Sequence, residues 1–244
     1  MNGREDLPPI KACIFDMDGL LINTEQLYTE VTNELLARYN KPKIPMELKT
    51  RIMGVPGFEA TKIIISYYGI EESAEKLYKE AGELQKKKFL ETKEMPGSHM
   101  ILEYLKDRGI PVVLATSSSI RSFHIKTSHL GHIFSHFGER IVRGDDPRIP
   151  KGRGKPAPDI YLTALSVVND ERKSKDLEPI TPRECLVFED SILGVQAGRS
   201  AGMRVVWVPE PEVLKYFEEK KEEIMGDNEI LSSLENFNPK KYGL

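Results

Sequence analysis

Apolar residues fall along this chain in two rhythms. Short dense runs, "IKACIF" (10–15), "IPVVLA" (110–115), "ERIVRG" (139–144), "CLVFE" (185–189) and "MRVVWVP" (203–209), have the length and branched or aromatic content of buried strands. Other segments have helical spacing. In "TEQLYTEVTNELLARYN" (24–40), Leu27, Val31, Leu35 and Leu36 recur on one face, with Thr24 read as the N-cap. "GFEATKIIISYYGI" (57–70) and "EESAEKLYKEAGELQKKKFLE" (71–91) continue that pattern, and no strand is predicted between Thr24 and Glu94. The "MPG" break (95–97) ends this block. Helical "SHMILEYLKDRG", "APDIYLTALSVVN" and "SILGVQAGRSAG" then alternate with strands, "DERKSKDLEPITPRE" reads as a polar connection, and the residues after Pro209 read as one charged helix and a short tail.

Strand–helix–strand alternation around an all-helical block predicts an α/β fold: a Rossmann-like doubly wound parallel sheet core with an inserted all-helical cap domain. The expected boundaries are 10–23 and 95–244 for the core, 24–94 for the helical cap and 1–9 for an N-terminal tail. With 244 residues, 39% of them hydrophobic, the chain can bury a sizeable core. A formal net charge of -3 gives no electrostatic reason to expect nucleic acid or an anionic membrane as partner. Cys13 and Cys185 each lie in or at the start of an apolar run and read as free buried thiols. No stretch approaches a membrane span, and "MNGREDLPPI" lacks an apolar signal region, so a cytoplasmic location is expected, with the nucleus equally allowed.

Three strands run directly into polar residues: "IFD-MD", "VVLAT-SSS" and "CLVFED". Open parallel sheets bind ligands at the carboxyl ends of their strands, so these ends can converge on one crevice. A site holding Asp16, Asp18, Glu189 and Asp190 would carry up to four negative charges, and such crowding requires protonation or a cation. The oxygen donors suit a hard divalent ion, Mg²⁺ before Ca²⁺. A calcium loop of the EF-hand type does not fit, because Gly19 falls too early and Leu20, Leu21 and Ile22 occupy ligand positions.

"DMDGLLINTE", Thr116 after its apolar strand, Lys155 in "GKPAPDIY", and "FEDSILGVQAGRSAGM" together resemble the four motifs of the haloacid-dehalogenase superfamily of phosphotransferases, in order and in strand context. "MPG" and the helical block resemble the hinge and small cap of the subgroup of β-phosphoglucomutases and sugar phosphatases. The resemblance implies Asp16 as nucleophile, forming an aspartyl phosphate, and Asp18 as general acid and then general base. It implies Mg²⁺ held by the Asp16 carboxylate, the Asp18 main-chain carbonyl and Asp190, with Glu189 close behind. Thr116, Ser117 and the amides that follow, with Lys155, would bind the phosphoryl oxygens. Dehalogenases of this superfamily lack the second acid, so Asp18 argues for phosphoryl transfer.

Mutases of the subgroup carry a His on the first cap helix where Tyr28 stands, and a cap arginine where Pro56 and Gly57 stand, so water is the expected acceptor. Over nearly its full length the chain is similar to the pseudouridine 5'-phosphatases, which implies pseudouridine 5'-phosphate as substrate, with Glu25 and Tyr28 as cap contacts. A sugar or polyol phosphatase is the alternative, followed by a phosphomutase or a non-catalytic regulatory protein on this fold. Asn23 departs from the aspartate usual in these families, and so does the basic loop 148–155, "RIPKGRGK", expected to be mobile and to deliver Lys155. The expected partner is a small-molecule phosphomonoester, with no nucleic acid and no membrane, and a monomer is expected. His129, His132 and His136 are read as packing or surface residues, because Gly131 interrupts their helix and no carboxylate is expected on their face.

Overall fold

The computed structural model describes residues 7–244; the part of the expected tail before Leu7 lies outside them. Six strands form one sheet: β1 (Ala12–Phe15), β2 (Val112–Thr116), β3 (Ile141–Arg143), β4 (Cys185–Glu189), β5 (Arg204–Trp207) and β6 (Glu229–Ile230). Every pairing is parallel and the order is β3-β2-β1-β4-β5-β6, so the first strand is central. Both faces of such a sheet must be covered, which explains why its strands are continuous apolar runs. The predicted Rossmann-like, doubly wound α/β core is what is found.

Four helices follow β1: α1 (Thr24–Arg38), α2 (Met46–Ile52), α3 (Gly57–Tyr68) and α4 (Ala74–Lys88). Then come α5 (Ser98–Asp107), α6 (Ile120–Thr127), α7 (Gly131–Phe134), α8 (Asp159–Lys173), α9 (Ile192–Ser200), α10 (Pro211–Tyr216) and α11 (Lys221–Met225). Successive residues of β1 point to opposite faces. Cys13 and Phe15 pack with Leu102 and Leu105 of α5, Phe123 of α6, and Leu234 and Tyr242 near the C-terminus. Ala12 and Ile14 pack with Tyr161 and Leu165 of α8 and Val195 of α9. Phe15 stacks on Phe188 at 4.6 Å between ring centroids, locking the two central strands together beneath their carboxyl ends.

Helices α1–α4 hold a third apolar cluster, built on Leu35, Leu36, Leu48, Ile64, Ile70 and Leu77 and separate from the two against the sheet. The chain passes between cap and core twice, and the two crossings are bonded to each other. Asn23 donates its amide N–H to the Lys93 carbonyl and accepts the Lys93 amide on its Oδ1, at 3.0 and 2.8 Å. A single antiparallel bridge joins Ile22 to Glu94.

The structure corrects four readings. Asn23, not Thr24, is the N-cap of α1, and the side chains of both are spent elsewhere. Helix α8 runs on through "DERK" to Lys173, because polar residues on a solvent face continue a helix as well as apolar ones. The C-terminal stretch is not one helix: α10 and α11 are short, Gly226 turns the chain at φ 55°, and β6 adds an edge strand too brief for periodicity to reveal. Carboxylates do accompany the histidines, with His132 facing Glu94 and His136 facing Glu103, each at 3.1 Å, while His129 bonds the Thr92 carbonyl. Cys13 and Cys185 are buried free thiols, as expected. In the basic loop, Arg148 is chelated by Asp146 and Arg153 by Asp159, which leaves little of its charge unpaired. No helix among the described residues is long and apolar enough to cross a membrane.

Gly194, in the first turn of α9, lets that helix lie against the end of β4. A Cβ there would sit 1.6 Å from Glu189 Oε1, a buried side chain with no room to retreat. Gly194→Ala is therefore expected to destabilise the protein by about 3 kcal/mol, read as a lower midpoint in urea denaturation; an unchanged midpoint would contradict this packing.

Candidate active site

Parallel register places the chemistry. Phe15 pairs with Leu114 on one side and with Phe188 on the other, so the residues that follow, Asp16 and Glu189, emerge side by side, with Thr116 one position beyond. The Asp16 amide donates to the Phe188 carbonyl at 3.0 Å, extending the ladder to the catalytic-looking end. Lys155, delivered by the loop before α8, reaches between them: its Nζ lies 2.5 Å from Asp16 Oδ1 and 2.6 Å from Glu189 Oε1. Glu189 also accepts from Tyr161 Oη at 2.7 Å and from the amide and hydroxyl of Ser191 at 2.9 and 3.0 Å. All three charged groups are buried, so each is tolerated only through the others.

Burial pushes the Asp16 carboxyl up to about 7, aided by Glu189 and Asp18 and opposed by Lys155. Burial also acts on Glu189, but Lys155, Tyr161 and Ser191 outweigh it and bring it below its ordinary value. Asp190 has no such support. Burial, with Glu189 and Asp16 nearby, drives it well above the carboxylate range. Its Oδ2 is a buried oxygen without a hydrogen-bond partner. The adjacent Gly19, at φ 79°, makes room for it: a Cβ there would lie 2.2 Å from that oxygen.

Asp16, Glu189 and Asp190 each offer a carboxylate oxygen within 4.8 Å of the others. The donors are all oxygen and one is orphaned, so the set fits a hard divalent cation such as Mg²⁺. Glu189 is already saturated by its donors, which leaves Asp16 and Asp190 as the carboxylates with capacity to spare. The Asp18 carboxylate is not in this group.

The Asp18 carboxylate sits in a polar cluster of its own. Its Oδ1 accepts from Thr24 Oγ1 at 2.6 Å and from Lys126 Nζ at 2.5 Å; its Oδ2 accepts from Ser118 Oγ at 2.8 Å, with Thr116 Oγ1 at 3.4 Å. Burial raises its pKa, but Lys126 and the hydroxyls of Thr24 and Ser118 prevail, so it lies below the ordinary value. Two acids only two residues apart thus occupy opposite electrostatic settings.

The other expected site residues line or border a cavity of about 290 Å³ between the strand ends and the cap. Thr116 is fully buried, and its hydroxyl also accepts the Ser118 amide. The Ser117 hydroxyl is spent on the Gly54 carbonyl of the cap at 2.8 Å, so what Ser117 could offer a ligand is its backbone. Glu25 enters from α1, and burial, with Asp18 and Glu210 nearby, lifts it to about 8. Lys49 is the one cation among the described residues lining the cavity, and it pairs with Glu210 at 2.5 Å. Tyr28 bonds Lys126 at 2.7 Å.

Sequence reading missed Lys126, Ser118 and Tyr161. Lys126 is the least expected, a lysine with 0% exposure. The available signal was its position on the inner face of α6, three residues after Phe123 and next to Thr127, both buried; a lysine on such a stripe needs a partner.

The chain is similar to several known proteins. A family model described as haloacid dehalogenase-like hydrolase matches residues 10–202. A Saccharomyces cerevisiae protein named as a probable pseudouridine-5'-phosphatase is 43% identical, covering 96% of this chain and 98% of its own. The Arabidopsis thaliana (DL)-glycerol-3-phosphatase 1 is 39% identical, over 95% of this chain and 72% of its own. The crystal structure of β-phosphoglucomutase from Clostridium difficile superposes with a TM-score of 0.71 at 22% identity, covering 96% of this chain and 97% of that one, which shows a shared fold. With Asp16 just past the end of its central strand, a lysine shared by Asp16 and Glu189, and a family match across most of its length, this chain belongs to the haloacid dehalogenase-like hydrolases.

Proposed function

We propose that this chain is a Mg²⁺-dependent phosphatase of small phosphomonoesters that works through an aspartyl phosphate on Asp16. The observation that carries the reading is the partition of the two acids. Asp16 lies against Lys155 beside the oxygen cluster, while Asp18 is held apart by Thr24, Ser118 and Lys126. A nucleophile and a proton carrier need those separate settings.

The cation, bound by the Asp16 and Asp190 carboxylates and the Asp18 main-chain carbonyl with Glu189 behind, would offset the repulsion between a carboxylate nucleophile and a phosphate dianion. Asp16 attacks phosphorus in line and forms a mixed anhydride while the ester oxygen departs. Asp18, carrying the proton it took from water in the preceding turnover, gives it to that oxygen and becomes a carboxylate. As a carboxylate, Asp18 then takes a proton from the water that attacks the acyl phosphate, which regenerates Asp16 and releases inorganic phosphate. The ionised Asp18 favoured by its present neighbours is the form this second step uses. Lys155, Thr116 and the Ser117 amide are the groups assigned to the phosphoryl oxygens.

Pseudouridine 5'-phosphate is our first substrate, supported by the name of the yeast relative and by the cavity wall. Tyr28 and the edge-to-face pair of Phe58 and Tyr78 offer aromatic surface, and Thr29, Thr32 and Gln85 offer polar groups beside it. Glycerol phosphate is the second reading, because of the plant relative's name. A bisphosphate-handling mutase fits less well, since Lys49, the lone cation of the described lining, already serves Glu210.

Asp16→Asn is expected to abolish turnover, and Asp18→Asn to lower kcat by about 10²–10⁴, measured as phosphate release from a soluble monophosphate; near-normal turnover by the first variant would sink the mechanism. Across a panel of pseudouridine, nucleotide, sugar and glycerol monophosphates, pseudouridine 5'-phosphate should dominate, and a chelator should silence the whole panel. Release centred on glycerol phosphate would retain the chemistry and replace the substrate.

A stability test follows from the raised acids. Asp16 near 7 and Glu25 near 8 bind more protons folded than unfolded, so without a cation their contribution is favourable at low pH and is lost as pH rises through those values. A bound divalent ion relieves that loss. The rise in Tm on adding Mg²⁺ should therefore be larger at about pH 8 than at about pH 5; an equal rise at both would count against a cation at these carboxylates.

A further inference from the structure

Among the charged groups of the site, Lys126 has no part in the reaction just described, yet it is completely buried. An ammonium has three protons to donate, and here all three have acceptors: Asp18 Oδ1 at 2.5 Å, Tyr28 Oη at 2.7 Å and Ser118 Oγ at 2.8 Å. The charge also lies over the rings of Tyr28 and Phe89, at 4.6 and 5.1 Å from their centroids. With every donor occupied and no exposure, the amine is not arranged to receive a substrate group.

Its partners divide between two parts of the molecule. Asp18 and Ser118 follow β1 and β2 in the core, whereas Tyr28 lies on α1 and Phe89 just after α4, beside the two crossings into the cap. One buried atom therefore touches the core on one side and both ends of the cap on the other. Building such a centre is costly unless the geometry is held, because removing any partner leaves a charge short of compensation in a dry environment.

We propose that Lys126 is a positioning residue, which fixes the Asp18 carboxylate through one bond and ties it to the seated cap through Tyr28. Asp18 is then correctly aimed only when the cap is home, and proton transfer is coupled to closure over the substrate. The inference rests on the phosphatase reading, in which Asp18 carries the proton.

The test compares two esters in the full-length protein. Glycerol 3-phosphate has a poor leaving group that needs a proton from Asp18, while p-nitrophenyl phosphate has a good one that does not. Lys126→Met keeps the volume and removes the charge. It is expected to lower kcat for glycerol 3-phosphate by about 10²-fold. With p-nitrophenyl phosphate it should instead give a burst of one nitrophenol per enzyme and then slow turnover, because Asp16 is still phosphorylated while hydrolysis waits on Asp18. Wild-type rates on both esters would overturn the proposal, and so would equal losses without a burst, the mark of a purely structural lysine.

Tyr28→Phe keeps the ring and leaves Lys126 its two core acceptors, so it carries the test if Lys126→Met does not fold. It should show the same split between esters at several-fold. A higher KM on both esters with kcat unchanged would make Tyr28 a substrate contact and overturn the coupling. An inactive wild-type enzyme, or an active Asp16→Asn, would instead refute the phosphatase reading itself.

Discussion

Like charges gathered in a dry place repel, and that constraint shapes the molecule around its strand ends. Asp16, Asp18, Glu25, Glu189 and Asp190 crowd one end of the sheet, all but Asp18 largely out of contact with water. Lys155 answers Asp16 and Glu189, Lys126 answers Asp18, and Asp190 keeps an oxygen with no partner at all. Each lysine is itself buried and holds its proton because of the acids it serves. The set is stable only as a set: remove one cation and several kcal/mol of uncompensated charge remain. A divalent ion at the orphaned oxygen completes the same logic in the reaction we propose.

The fold delivers this arrangement cheaply. Parallel strands in matched register bring Asp16 and Glu189 level without special loops. Stacking of Phe15 on Phe188 one residue earlier keeps them level. Two glycines then allow close approach where a side chain would collide, Gly19 toward Asp190 and Gly194 toward Glu189. The chemistry is thus held from the core side by rigid elements, while the cap contributes the wall opposite.

Much of this was legible in the sequence, for physical reasons. Five strands announced themselves because a doubly covered sheet demands unbroken apolar runs, and the acids stood out because they end such runs. The charged tail of α8 was not legible, since a solvated helical face carries no apolar period. Nor was β6, with two residues. Lys126 was missed for a different reason. Its meaning lies in three acceptors from distant parts of the chain, and only the folded structure brings Asp18, Tyr28 and Ser118 to one atom. Asn23 shows the same limit: the sequence marks it only as a departure from the usual aspartate, and the fold alone brings Lys93 to its side chain, which pins the two crossings together.

That pinning has a consequence for how such a protein can change over time. Because Asn23 and Lys93 clasp each other, everything between them is a closed excursion from a chain that would otherwise continue from β1 toward α5. The sheet does not need to know how long the excursion is, for the cost of closing a loop grows only slowly with its length. Away from Thr24, Tyr28 and Phe89, which touch Asp18 or Lys126, the cap can be lengthened, repacked or recut while Asp16 and its neighbours stay where the strands put them. Inheritance can therefore shop for new substrates on one side of the clasp without reopening the settled question of how to break a phosphate ester on the other.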